Sequence, residues 1–154
     1  MKVPELEVFL EDLEIPWLEG YRAFLLQALE SLGAVDFEVS VTLCRDSYIR
    51  KLNHLWRSKD EATDVLSFEA EPQQPPGAPE RPRSGGCYGD LVISMDTLAV
   101  NSAYFCVDRN EELKRVSLHG LLHLMGWDHA SNDASEPMLQ HQEAILARFK
   151  ELSF

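Results

Sequence analysis

No stretch of this 154-residue chain approaches the ~20 consecutive apolar residues that a helix needs to cross a bilayer. Cysteine is scarce. Cys44, Cys87 and Cys106 are scattered, outline no disulfide framework and suit a reducing compartment. The opening run Met1-Lys2-Val3-Pro4-Glu5-Leu6-Glu7 lacks the basic and then apolar regions of a signal peptide, so the expected location is the cytoplasm, with no membrane partner. Positive charge is short as well: 14 Lys and Arg against 26 Asp and Glu leave a net charge of −12, which at long range opposes a polyanionic partner. The apolar fraction of 45% is ordinary, and the length suits one domain with a core of its own, spanning 1–154.

The shortage of positive charge is uneven. Residues 1–44 set nine acids against Lys2 and Arg22, whereas residues 45–59 hold Arg45, Arg50, Lys51, Arg57 and Lys59 against Asp46 alone. Within a Debye length of ~8–10 Å such a patch outweighs distant, screened acids. The plainer alternative is a solvated helix face.

Periodicity divides the chain. Leu6, Val8 and Leu10 alternate with Glu5, Glu7 and Glu11, a half-exposed first strand. Pro16 opens a helix whose apolar stripe runs Leu18, Tyr21, Leu25, Ala28, Leu29 and Leu32 and which Gly33 closes. Phe37, Val39, Val41 and Leu43 form a second strand with one wet face. Asp46 is the expected N-cap of a helix through Trp56, with Ile49, Leu52 and Trp56 inward. Val65 to Phe68 is a short strand, and Leu91-Val92-Ile93, apolar on both faces, a buried central one. Ser94 caps a helix to about Phe105. Asp108 with Glu111 resembles a capping box for a helix over 109–125, and a last helix starts near Ser135. Residues 71–87 are rich in proline and glycine and read as a surface loop or a lid. The fold class expected is α+β, a small mixed sheet of about four strands with packed helices. Which neighbours are parallel is left open.

The densest chemistry lies in His119-Gly120-Leu121-Leu122-His123-Leu124-Met125-Gly126-Trp127-Asp128-His129. Residues four apart share a helix face, so His119 and His123 present two imidazoles to one point. Gly126 offers the left-handed conformation that ends a helix, and the chain can return to deliver His129. Three nitrogen ligands with an open fourth position describe a catalytic zinc centre at a helix C-terminal end, and so a metal-dependent hydrolase. The spacing is that of the zinc-peptidase run H-E-x-x-H-x-x-G-x-x-H, except that Gly120 replaces the glutamate that serves as general base. That substitution argues against a metallopeptidase. A closed structural zinc remains an alternative, with His141 or Cys106 as fourth ligand, as in an RNA- or ribosome-binding factor. Asp128, Asp90 and Glu136 are candidates to orient the imidazoles or accept a proton.

Two separated blocks carry a family resemblance. The first is Leu52-Asn53-His54-Leu55-Trp56-Arg57-Ser58-Lys59-Asp60-Glu61-Ala62-Thr63-Asp64-Val65-Leu66-Ser67-Phe68; the second is Gly89-Asp90-Leu91-Val92-Ile93 followed by the three-histidine run. Together they resemble the YbeY family of metal-dependent, single-strand-specific bacterial endoribonucleases of ribosomal RNA maturation. The resemblance implies one Zn2+ on His119, His123 and His129, and a role in activity for Arg57, with Lys59 matching the family's lysine two positions on. It implies single-stranded RNA, ribosomal RNA or a ribosomal subunit as partner, and no DNA, with Lys59, Arg50 and Lys51 as candidate RNA contacts. The chain departs from the usual pattern at Asp64, where asparagine is usual, and in its long proline-rich loop. Cleaving a phosphodiester develops charge on non-bridging oxygens, which a guanidinium meets in a bidentate fork. Trp56 and Trp127 are expected chiefly as core residues, with stacking on an unpaired base as the alternative.

Overall fold

Alternating and periodic apolar residues fold as nine elements in the computed structural model, which describes residues 4–34, 37–69 and 88–154. Along the chain run β1 (Glu5–Leu10), α1 (Leu18–Ser31), β2 (Glu38–Cys44), α2 (Asp46–Arg57), β3 (Val65–Glu69), β4 (Tyr88–Ser94), α3 (Met95–Phe105), α4 (Arg109–Leu124) and α5 (Pro137–Ala147). The strands form one mixed sheet of order β1-β2-β4-β3, with β1, β2 and β4 parallel and β3 antiparallel to β4. The fold is a single small α+β domain. The proline-rich segment 71–87 lies outside the described residues.

Register puts Val8 opposite Val41 and Val41 opposite Leu91, so one sheet face is apolar across β1, β2 and β4. It packs on Tyr21, Phe24, Leu25 and Leu29 of α1 and on Leu113, Leu118 and Leu121 of α4. Burying each such side chain contributes about 1.5–3 kcal/mol, which holds α4 against the sheet. On the other face Cys44, Ile49, Leu66 and Val92 form a smaller cluster beneath α2.

Two close approaches fix the seat of α4. A Cβ at Gly89 of β4 would stand 2.5 Å from Leu124 Cδ2, and one at Gly120 would stand 2.7 Å from Leu91 Cδ2. The C-terminal half of the helix therefore lies flush on β4. The far end is held by Lys114, whose buried ammonium donates to the carbonyls of Phe149 (2.9 Å) and Leu152 (2.7 Å).

Several local expectations are corrected. Arg45, not Asp46, occupies the N-cap of α2. The Asp46 carboxylate instead accepts from Ser94 Oγ (2.6 Å) and Thr97 Oγ1 (2.5 Å) at the start of α3, which holds it below the usual carboxylate range. Asp108 does cap α4 through Asn110 N (2.9 Å), but Glu111 pairs with Arg115 (3.2 Å) rather than closing a box. Trp56 is not inward: it is 67% exposed and meets only the edge of Phe68 on β3. Ser94 caps α3 as expected, accepting from Thr97 N.

Candidate metal centre and its cleft

His119 and His123 stand one turn apart on α4, and the helix then ends in a Schellman motif. Trp127 N donates to Leu122 O and Gly126 N to His123 O, each at 3.0 Å, with Gly126 at φ 96°. A side chain at that φ is strained, so glycine there is a requirement of the turn. The chain folds back and brings His129 to the other two. Ring centroids of the three histidines lie 4.6, 5.1 and 5.5 Å apart, and one ligand nitrogen from each lies within 4.8 Å of the others.

The outer nitrogens orient the rings. His123 Nδ1 faces the carbonyl of Trp127 (3.0 Å) and His129 Nδ1 that of Ser131 (2.8 Å), and a carbonyl can only accept. His119 Nδ1 faces Gln142 Oε1 at 2.7 Å, and the Gln142 amide is oriented by its NH2 donating to Glu143 (3.4 Å). All three Nδ1 atoms are thus engaged outside the cluster, which leaves Nε2 as the nitrogen that each ring turns to the shared point. His119 Nε2 and His123 Nε2 are 3.1 Å apart. Ligands ~2.0–2.1 Å from one tetrahedral zinc stand ~3.3 Å apart, close to the separation of that pair, and the neutral-donor chemistry of three imidazoles suits the ion. Burial, the largest influence on His119, lowers its pKa and favours the neutral, ligating form.

Neither proposed fourth ligand joins the group. His141 stacks on Trp127 (centroids 5.0 Å, 25° between planes), and Cys106 is exposed at the end of α3. Among the described residues the cluster is three histidines alone.

His119 and His123 border an open cleft of roughly 1230 Å³ between the end of α4 and the α2–β3 edge. Arg57 and Lys59 line it, as do Trp56, Phe68, Trp127, Asp64 and Asp128. Arg57 Nη2 donates to Ser67 O (2.9 Å), and its guanidinium carbon lies 5.5 Å from the Phe68 ring centre. The other sequence candidates are placed elsewhere. Arg50 forms a fork on Asp60 (2.8 and 3.2 Å), and Lys51 is exposed away from the cleft lining. Asp90 accepts from Ser40 on the neighbouring strand. Glu136 accepts from Ser131 Oγ (3.1 Å), one contact removed from His129. Gln142 escaped the sequence reading because it lies on a different helix from the histidine it holds, with no local pattern to mark it.

A family model described as Endoribonuclease YbeY matches residues 11–150. The chain belongs to that family. A Borreliella afzelii protein named endoribonuclease YbeY is 41% identical, over 97% of this chain and 98% of its own. A Treponema denticola protein of the same name is 40% identical, over 84% and 81% respectively. A solution structure of a Thermotoga maritima protein superposes with a TM-score of 0.65 at 26% identity, covering 95% of this chain and 90% of that one. Among the described residues no helix is long and apolar enough to cross a membrane.

Proposed function

We propose that this chain is a zinc-dependent endoribonuclease that hydrolyses single-stranded RNA in the cytoplasm, with ribosomal RNA, free or in a subunit, as its substrate near 3′ ends. The observation that carries the reading is the convergence of three imidazoles, without a fourth protein ligand among the described residues, beside the cleft that also holds Arg57. The names of the family and of the curated relatives support RNA as the substrate.

His119, His123 and His129 would hold the ion, which when bound supplies a Lewis acid for the phosphoryl group and acidifies water. The chain's own residues do the rest. With one nitrogen tied to Ser67 O, the Arg57 guanidinium keeps further N–H donors for the non-bridging oxygens, where charge grows as the bond breaks. Lys59 adds a second positive charge at the same rim. Of the three carboxylates considered for proton transfer, Asp128 lines the cleft, and Asp90 and Glu136 do not.

The test is a pair of variants assayed on an unstructured RNA. His123→Ala should lose both bound zinc and cleavage. Arg57→Ala should keep zinc and lose roughly a hundredfold in turnover, the scale of removing one transition-state donor. Undiminished cleavage by metal-free His123→Ala rejects the proposal, and unchanged turnover in Arg57→Ala removes Arg57 from it.

A further inference from the structure

An exposed tryptophan beside a charged cleft calls for an explanation that folding does not provide. Trp56 sits in the last turn of α2 and is 67% exposed, so its burial contributes little to the core. It meets Phe68 of β3 edge-on, with ring centres 6.5 Å apart and planes at 62°. The Arg57 guanidinium lies on the same Phe68 ring and is fixed by the Ser67 carbonyl. Indole, phenyl ring and guanidinium thus form one wall built of flat groups. That wall lines the same cleft as His119, His123 and Trp127.

We infer that this wall is a base-binding subsite, in which Trp56 stacks on an unpaired nucleobase next to the phosphate held at Arg57. The inference rests on the proposed RNA substrate and specifies how that substrate is gripped. Every base has a π face, so stacking of this kind tolerates any sequence. It needs the base to be splayed out of a helix, which selects unpaired strands over duplexes. Two cations beside the aromatics favour RNA over a protein partner as occupant: Arg57 and Lys59 stand where a phosphodiester backbone would run, and a divalent ion on the histidines would offset the acids of the same cleft.

The test compares zinc-loaded wild type with Trp56→Ala and Trp56→Phe on two short, phosphorothioate-linked single-stranded RNA probes. One carries the fluorescent base 2-aminopurine at each position in turn; the other has the same length and charge but is abasic. Wild type should bind the base-bearing probe roughly tenfold more tightly than the abasic one and quench its fluorescence at one position. Trp56→Ala should lose that preference and that quenching while binding the abasic probe and zinc as before. Trp56→Phe should retain most of the preference. Equal preference in wild type and Trp56→Ala overturns the inference, also when Trp56→Ala changes only the sedimentation of the protein, which would assign the wall to protein contact. The proposed function fails separately, through the absence of zinc-dependent cleavage by wild type.

Discussion

Each imidazole of the centre is steered by the nitrogen that points away from the other two rings. Two of those anchors, the carbonyls of Trp127 and Ser131, are backbone and come with the turn that ends α4. The third is a side chain, Gln142, and it is held in turn by Glu143, which also takes a fork from Arg115 at 2.8 and 3.3 Å. Such outer partners typically contribute 10–100-fold to metal affinity. Gln142→Leu should therefore weaken zinc binding by about 10–100-fold at neutral pH with the circular dichroism spectrum unchanged, and Gln142→Glu should recover most of the loss. Competition with a chromophoric chelator measures this, and an unaltered affinity in the Leu variant would dismiss Gln142 as a positioning residue.

Helix α4 carries the site because it lies flush on β4, and the glycines make that possible. Gly89→Ala would set a methyl group within 2.5–3.1 Å of three atoms of the buried Leu124. Overpacking of this kind costs about 1–3 kcal/mol, more than the few tenths alanine gains over glycine in a strand. The variant should melt several degrees lower, at about 2–4 °C per kcal/mol for a domain of this size, and should bind zinc less tightly as the helix end shifts. Thermal unfolding that coincides with wild type would show that Leu124 yields freely. Much at this scale is legible from local order: the i, i+4 histidines, the left-handed Gly126, the Ser94 cap and the alternation of β2 all depend on residues close in sequence. What depends on distant partners is not. The periodicity of α2 names the face that holds Ile49 and Trp56, but tertiary neighbours decide that Ile49 is covered and Trp56 is not. Asp46 carries an N-cap signature, yet its carboxylate serves α3, some fifty residues on. Strand direction likewise awaited the pairing of β2 with β4.

Across the whole molecule the charge is −12, and the cleft repeats that bias, with Glu61, Asp64, Glu69 and Asp128 against Arg57 and Lys59. A divalent ion on the three histidines would offset that excess, so the proposed metal should govern RNA binding as well as cleavage. Removing zinc with a chelator should weaken binding of a single-stranded RNA severalfold or more, with restoration on adding zinc, as read by fluorescence anisotropy at fixed ionic strength. Equal affinity with and without the ion would show that Arg57 and Lys59 suffice for capture. The seat of Gly120 against Leu91 also bears on how this fold can diversify. Restoring the peptidase glutamate by one substitution would press a side chain into Leu91, so the route from nuclease to protease on this scaffold runs first through a second change that makes room. A lineage exploring single steps meets a stability barrier there before it meets any new activity.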